Sequence, residues 1–215
     1  MINLKLIWRS LGYVIEGLPY TLGIALLSFV IGLFLGLLLT LIRRLNKKFS
    51  SFLVKLYVSM MRGVPMIVVL FVLYFGLPYY GIQLPALLCA LIGFSLVSAA
   101  YISEVFRASI DAIDIGQWEA AKSLGLPYSS IIRKIILPQA VRIAVPPLGN
   151  VIIDMVKSSS LAAMITVPDI FQKAKIVGSR EWDYMSMYVL VALIYWMLTF
   201  LLEKYQAYLE KKLLY

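Results

Sequence analysis

The sequence has few of the charged residues that soluble proteins display on their surfaces. Only 14% of its 215 residues are charged, whereas 62% are hydrophobic. Soluble domains average about 25% charged residues, so the composition excludes an ordinary water-soluble domain and favours a membrane protein. The formal net charge of +9 would suit a nucleic-acid partner. In a membrane protein it more often reflects basic loops on one side, and we expect no nucleic acid.

Cysteine and histidine are almost missing, which removes several kinds of chemistry. The chain has no histidine, and its one cysteine, Cys89, lies in an apolar run. Disulfide frameworks, Cys/His zinc sites and histidine-based catalysis cannot be assembled from such a chain. No glycine is followed by lysine, so the phosphate-binding G-x-x-x-x-G-K-S/T loop is also missing. We therefore expect no catalytic residue, metal or cofactor in the chain.

Long uncharged runs predict helices that cross a membrane. Residues 20–42 contain no charge, and at about 1.5 Å per residue they extend roughly 34 Å, enough for a hydrocarbon core of ~30 Å. Residues 63–103 also lack charge and predict two crossings, separated by the turn-forming stretch GLPYYGIQLP. We predict one all-α integral membrane domain, residues 1–215, with about five spans. Their approximate positions are 18–42, 52–76, 84–106, 139–165 and 183–203.

Two of these assignments have alternatives. The fourth span is the weakest, because it contains Arg142, Asn150, Asp154 and Lys157. Without it the count falls to four and the chain ends change sides. The first apolar run resembles a cleaved signal peptide in position. It is too long for one, and the basic sequence RRLNKK follows it, so we expect a retained helix.

Basic residues favour one side of the five-span arrangement, and the richer side of a membrane protein is usually cytoplasmic. The N-terminus is then outside, the C-terminus is cytoplasmic, and the loop 107–138 is cytosolic. The favoured side contains Arg43, Arg44, Lys47, Lys48, Arg107, Lys122, Arg133, Lys134, Lys204, Lys211 and Lys212. The other side contains Lys5, Arg9, Lys173, Lys175 and Arg180.

The loop 107–138 has the features of a short, capped helix. Asp114 is a typical N-cap, Gln117 three residues later is typical of a capping box, and a helix is predicted from Ile115 to about Leu124. Gly125 suits the left-handed position after its end, and a second helix should then run into Pro138. A short, stiff helix joined to a span at each end would act as a lever. Force applied to it from the cytosol would tilt both spans. An amphipathic helix resting on the lipid surface explains the same pattern.

Within the first predicted span, GLFLG places Gly32 and Gly36 four residues apart. This small-xxx-small spacing lets two membrane helices approach closely, although glycine is also simply common in such helices.

Several motifs carry a family resemblance that covers roughly residues 61–170. The loop contains Glu119-Ala120-Ala121, Gly125 and IILP ending at Pro138. It resembles the EAA loop of ATP-binding-cassette (ABC) importer permeases. MRGVPMIVVLF, AAYISEVFRASI, LPQAVRIAVPPLGN and KSSSL are similar to the polar-amino-acid branch of that family. Several motifs in order are more specific than any single one.

The resemblance implies a type I ABC importer permease (MetI-like) fold in a bacterial plasma membrane. The implied partners are a cytosolic ABC ATPase dimer, an extracytoplasmic amino-acid-binding protein, and a second copy or a homologous permease. ATP and Mg would be bound by the ATPase subunit. By residue match, Glu119, Ala120, Ala121 and Gly125 would couple the permease to that subunit, inserted in a groove of its surface. Ala120 and Ala121 would allow close approach, and Trp118 and Leu124 would provide apolar contact.

The same branch implies a polar amino acid as substrate, with L-cystine first and glutamine or arginine as alternatives. KSSSLAAM and FRASI differ from the patterns of many relatives, and the first difference affects the assignment of substrate contacts.

Polar residues in predicted spans are candidates for a substrate pathway, because charges at membrane depth usually face a cavity or a helix bundle. Asp154 and Lys157 lie on one helix face and could form an ion pair. With Asn150 and Ser160 they would line the path, or else be structural. Arg62 and Glu104, near the inner span ends, would snorkel or form an inter-helix salt bridge rather than contact substrate. Arg62 could also shape an inner gate beside Pro65. Residues 167–182 should form an outer loop with a short helix from about Asp169, either a docking surface or an ordinary capped loop.

Two other classes of function compete with an importer subunit. A membrane-embedded enzyme would need a cluster of catalytic groups, and an ion-coupled carrier acting alone would be favoured by inverted repeats. The sequence contains neither pattern.

Overall fold

Helices account for almost all of the protein. The computed structural model describes residues 2–45 and 48–214, and no β-strand occurs within those ranges. Lys47, one of the basic residues of the first loop, lies outside them. The helices are α1 (Leu4–Ile15), α2 (Leu18–Arg44), α3 (Lys48–Gly63), α4 (Met66–Phe71), α5 (Ala86–Asp111), α6 (Ile115–Ser123), α7 (Tyr128–Ile131), α8 (Leu137–Ser158), α9 (Ile170–Glu181) and α10 (Tyr184–Leu214). The predicted all-α class is confirmed.

Short irregular turns extend three of these helices. A π-helical turn (Val72–Gly76) and a 3-10 turn (Leu77–Tyr80) follow α4. A second π-helical turn (Ile132–Ile136) joins α7 to α8, and a 3-10 segment (Ser159–Ile165) continues α8.

Five crossings fit the described helices by length and apolar composition. Four helices qualify alone: α2, α5, the continuous helix Tyr128–Ile165 and Tyr184–Lys212. The bent pair Lys48–Gly63 and Met66–Tyr80 provides the fifth if its halves count together. α2 covers the predicted span 18–42, α5 runs past the predicted end at 106 to Asp111, and α10 runs past 203 to Leu214.

The second predicted span, 52–76, falls on a bent pair of helices, Lys48–Gly63 and Met66–Tyr80. Its two halves meet at an angle of 103°. Gly63 ends α3, and Pro65 is the N-cap of α4 with ψ 136. Proline disfavours the helical conformation for the residue before it, here Val64, and has no N–H to continue the ladder. Hydropathy identifies an apolar run but does not show that the helix axis changes direction within it.

The fourth crossing is longer than predicted, because Pro138 does not end a helix. The separate helix expected before it is the beginning of one 38-residue helix, Tyr128–Ile165. Pro138 lies in the first turn of α8, directly after the π-helical turn. Such an irregular turn relaxes the bonding ladder just before the proline. The fold thus connects the loop after α5 to the far end of the fourth crossing through one unbroken helix.

The core between α2 and α5 depends on small residues. A Cβ on Gly36 would lie 2.8 Å from Ile102 Cγ2, so no larger residue fits the observed distance. Ser98 Oγ donates to the Ser28 carbonyl at 3.1 Å, and Thr40 Oγ1 donates to the Ser103 carbonyl at 3.3 Å. The small-xxx-small motif therefore packs one crossing against another, as its spacing indicated.

A second core joins α1, α9 and α10. Leu6 and Val14 of α1 pack with Ile170 and Val177 of α9 and with Met187 of α10. Asp169 caps α9, its Oδ1 accepting from the Gln172 N–H at 2.8 Å, as predicted for the outer loop. The sequence did not predict α1, because Lys5 and Arg9 interrupt its apolar residues.

Candidate functional site

The loop after α5 folds as a capped helix, α6. Asp114 Oδ1 accepts a hydrogen bond from the Gly116 N–H at 2.6 Å, so the predicted N-cap is present. The predicted capping box is not formed as expected, because the Gln117 side chain turns towards α8. There its Oε1 accepts from Gln139 Nε2 at 3.5 Å. One end of α6 is therefore held both by its own cap and by the neighbouring long helix.

The other end of α6 closes with a glycine in the left-handed conformation. Gly125 has φ 70. Its N–H donates to the Lys122 carbonyl at 2.9 Å, and the Leu126 N–H donates to the Ala121 carbonyl at 3.3 Å. These two bonds form a Schellman motif, which satisfies the last carbonyls of the helix and reverses the chain. Gly125 is thus required by the backbone conformation of the turn.

The Glu-Ala-Ala residues do not share one face of α6. Ala121 is 2% exposed and packs against Ile131 and Ile136, whereas Glu119 and Ala120 are exposed. Ala121 is thus buried by its own chain, and its contact with a partner stays a prediction. It lies three positions after Trp118, so the two share the face that packs inward.

Trp118 is also turned towards its own chain, contrary to the expected role as a partner contact. Its ring stacks on Tyr128 at 6.3 Å between centroids and packs against the same small core as Ala121. Leu124 is 78% exposed and Ile115 is exposed as well. The exposed surface of α6 therefore mixes the apolar Ile115, Ala120 and Leu124 with the charged Glu119 and Lys122.

A group of charged side chains ties three helices together near α6. The Glu104 carboxylate on α5 accepts from Arg43 of α2 and, at 2.8 Å, from Arg107. Arg62 of α3 lies 3.9 Å from the same carboxylate and stacks over the Tyr101 ring at 5.3 Å. Of the roles predicted for Arg62 and Glu104, this geometry corresponds to the inter-helix salt bridge. Asp111 adds contacts to Arg44 and Arg107.

Two cavities with charged side chains in their linings lie along α8. One, of about 470 Å³, is lined by the break between α3 and α4, including Arg62 and Pro65, and by Asp154 and Lys157. The other, of about 440 Å³, brings Asn150, Asp154 and Lys157 to α10. The structure therefore gathers most of the predicted pathway residues. Ser160 lines neither cavity, and its Oγ donates to the Lys157 carbonyl at 2.8 Å. Glu104 also lies outside both linings.

Asp154 and Lys157 form the predicted ion pair, with 3.0 Å between Nζ and Oδ1, and both side chains are largely exposed on the single chain. Sequence reasoning missed their neighbours. Ser98 and Tyr101 of α5 line the first cavity, and Glu203, Gln206 and Glu210 of α10 line the second. The α10 residues recur at i, i+3 and i+7, so helical spacing would have identified them as one polar face.

Together these features define a class of protein: a helical membrane subunit with about five crossings, a capped helix between two of them, and cavities lined by charged side chains. The family described as "Binding-protein-dependent transport system inner membrane component" matches residues 28–215, and the chain belongs to that family.

Its relatives support the same assignment. The chain is 54% identical over 210 residues to the "Probable amino-acid ABC transporter permease protein YckA" of Bacillus subtilis, covering 98% of this chain and 93% of the relative. It is 38% identical to the "L-cystine transport system permease protein TcyB" of the same organism, covering 92% and 85%. It is 36% identical to that organism's "Arginine transport system permease protein ArtQ", covering 94% and 92%.

Solved structures match over the whole fold. A crystal structure of an amino acid ABC transporter with histidines superposes with a TM-score of 0.95 at 32% identity, covering 99% of both chains. An inward-facing MetNI methionine ABC transporter superposes with a TM-score of 0.71 at 21% identity, also covering 99% of both. The fold is therefore that of type I ABC importer permeases, as the motifs predicted.

Proposed function

We propose that this chain is the membrane-spanning permease subunit of an ATP-driven importer that carries a polar amino acid into a bacterial cell. The placement of α6 is the observation that supports it most. α6 is capped at both ends and packed at the joint between α5 and the helix Tyr128–Ile165. Its exposed Glu119 and Ala120 are available to a cytosolic partner. Of the residues proposed for coupling, Gly125 and Ala121 act by shaping α6 and holding it in place.

In this proposal a separate ATPase dimer binds ATP and Mg²⁺, and α6 receives its movement. The helix Tyr128–Ile165 is continuous over 38 residues, a length of about 57 Å. A displacement of α6 therefore tilts the segment that bears Asn150, Asp154 and Lys157. Alternating access is then a two-state tilt whose equilibrium the ATPase shifts. The cluster around Glu104 holds the neighbouring helix ends together during that tilt.

The exposed ion pair supports a dimer with a second copy or a homologous permease. Charged side chains at membrane depth face bundle interiors or aqueous cavities and seldom face lipid. Asp154 and Lys157 lie on a membrane-spanning helix, yet both are largely exposed on one chain. We expect them to face the second permease or the path between the two. An extracytoplasmic binding protein would deliver substrate on the side opposite α6, where α9 lies.

The substrate that we place first is L-cystine. A zwitterionic amino acid suits a cavity that offers both signs of charge, because Arg62 and Lys157 can attract a carboxylate and Asp154 an ammonium group. Glutamine and arginine remain the alternatives, since similarity to the cystine and arginine relatives differs by only two percentage points, 38% against 36%.

The deciding experiment is uptake of labelled amino acids by cells that lack this gene, with and without the gene restored. We expect restored cells to recover uptake of labelled cystine, and excess unlabelled cystine to compete better than glutamine or arginine. The purified chain should also retain an ATPase subunit in stoichiometric amount. Pumping by the purified chain without any ATPase would instead favour an ion-coupled carrier, and product formation from the solute would favour an enzyme.

The orientation can be measured independently of transport. In a Cys89→Ala chain, Ala120→Cys should react with a membrane-impermeant maleimide only after cells are permeabilised. Arg180→Cys, exposed on α9, is the matched position and should react in intact cells. The reverse pattern would place the C-terminus outside and exclude a cytosolic role for α6.

A further inference from the structure

α1 has two apolar faces, and the chain covers only one of them. Leu6, Ser10 and Val14 are buried against α9 and α10. The other face is formed by the exposed Leu4, Trp8 and Ile15, with the half-buried Leu11 at its edge, where it also packs against the core. We call these four residues the α1 stripe. These residues follow the spacing i, i+4, i+7, i+11 and therefore lie in one row along a helix. Leu4 is 74% and Trp8 80% exposed, and Ile15 is exposed as well.

Cationic side chains flank the α1 stripe. Lys5 and Arg9 lie one position after Leu4 and Trp8, on the edge between the stripe and the solvent-facing side. Arg9 Nη2 lies 3.0 Å from the Glu181 carboxylate at the end of α9. An apolar row bordered by basic residues is the pattern of helices that lie at a lipid surface, where the basic groups reach the phosphate level.

The position of α1 in the fold places it at a membrane boundary. Its buried face contacts Met187, Leu190 and Ile194, which occupy the first turns of the crossing helix α10. The chain then enters the crossing α2 at Leu18. α1 has 12 residues, about 18 Å, which is too short to cross the bilayer itself.

Exposed aromatic residues mark the same boundary. Tyr79 and Trp182 are each 90% exposed, and Tyr80 is 85% exposed. They lie where the second crossing ends and where α10 is about to begin, on the α1 side of the membrane. Trp182 directly follows Glu181, the partner of Arg9. Trp and Tyr concentrate at membrane–water interfaces, so these residues and the exposed Trp8 suit the same boundary.

We propose that α1 is an interfacial anchor that binds the phospholipid surface on the side of the membrane opposite α6. The α1 stripe inserts among the upper acyl carbons, and Lys5 and Arg9 lie at the level of the anionic phosphates. Lipid is the occupant because the exposed apolar surface continues along the chain through Tyr20 to Leu26 and Leu27 of the crossing α2. The proposal concerns membrane contact and does not depend on the proposed function.

Spin labels test the depth of each face. In the Cys89→Ala chain, single cysteines replace Leu4, Trp8 or Ile15 on the stripe, and Lys5 or Arg9 as matched neighbours. The full-length chain is placed in nanodiscs of phosphatidylethanolamine and phosphatidylglycerol. Accessibility to oxygen is then compared with accessibility to a polar nickel complex. We expect the stripe positions to lie about 5–10 Å below the headgroup boundary, and the neighbours to lie at or above it.

Two other outcomes overturn the proposal. If the nickel complex reaches labels on the stripe as readily as the label at position 5, this face lies in water. A soluble protein could then dock there. Stripe labels shielded from both reagents would mean that a second copy of the chain covers the face.

A second measurement leaves Cys89 unchanged. Tryptophan fluorescence of the natural chain and of a Trp8→Phe variant is recorded in lipids brominated high in the acyl chain or near its end. The difference between the two proteins isolates Trp8, and its quenching should be stronger with the shallow bromines. No quenching by either lipid overturns the proposal even if the cysteine variants fail to fold.

Discussion

Gly32 on α2 lies so close to Ser98 on α5 that a Cβ at position 32 would come within 2.2 Å of the Ser98 Oγ. The contact is at the centre of the interface between the first and third crossings, beside the hydrogen bond from Ser98 to the Ser28 carbonyl. Close approach of two membrane helices therefore depends on the absence of one side chain.

Gly32→Val should force these two helices apart. Overpacking a well-packed interface costs about 1–3 kcal/mol, so we expect a lower thermal midpoint of the detergent-purified chain. Gly23→Val is the matched control, because it lies on the same helix with nothing within 4 Å of its added Cβ. Equal midpoints for the two variants would contradict the close contact.

Gly125→Val should uncouple transport while leaving membrane abundance normal. A β-branched residue resists the left-handed conformation that Gly125 adopts. No atom lies within 4 Å of an added Cβ there, so the effect comes from the backbone alone. Gly125→Asn is the matched variant, since Asn tolerates this conformation, and it should keep most of the uptake. Loss of uptake in both variants would indicate a contact role for the glycine instead.

Glu104→Gln should weaken the bundle more than Asp111→Asn. Glu104 receives guanidinium groups from α2 and α5 and is only 18% exposed, whereas Asp111 is more than half exposed. Hydrogen bonds to charged groups contribute about 1.5–3 kcal/mol, and exposed ion pairs about 0–1 kcal/mol. Thermal unfolding of both purified variants measures the difference. A larger loss for Asp111→Asn would contradict the central position of Glu104.

Asp154→Asn and Lys157→Gln test the polar face of α8. We expect each to reduce uptake at normal membrane abundance, because the cavity would lose one of the charges available to a zwitterion. Ser160→Ala is the matched control on the same segment, since Ser160 lines neither cavity. Full uptake in both charge variants would remove these residues from the path.

Stability should depend on pH through Asp169. Burial raises the pKa of this carboxyl from its ordinary value of 3.8 to about 7. The folded state therefore binds this proton more tightly, so the contribution of Asp169 to stability is greatest below pH ~4 and is lost as the pH rises through ~7. Between pH ~4 and ~7 the titration of Asp169 lowers the free energy of unfolding by about 4 kcal/mol.

Asp169→Asn should flatten this pH dependence, since an amide does not titrate and still caps a helix. Thermal midpoints of the natural chain and of the variant, recorded between pH 4 and 8, measure this dependence. An unchanged slope in the variant would assign the pH dependence to another group.

Sequence patterns predicted the crossings better than the directions of side chains. Uncharged runs identify apolar helices, and the EAA motif identifies α6, because both signals are local. The partner of each face is decided by tertiary packing. For this reason Ala121 was expected to face outward and Glu203 was overlooked. Gly63 and Pro65 contained the signal for the break in the second crossing, but the hydropathy of the run concealed it.

The bend between Gly63 and Met66 also constrains how the protein enters the membrane during synthesis. Its halves have 16 and 15 residues, or about 24 and 22 Å, and neither matches a bilayer core of ~30 Å. We therefore expect the two halves to enter the membrane as one unit. Deleting either half in frame would remove one crossing and invert every later loop.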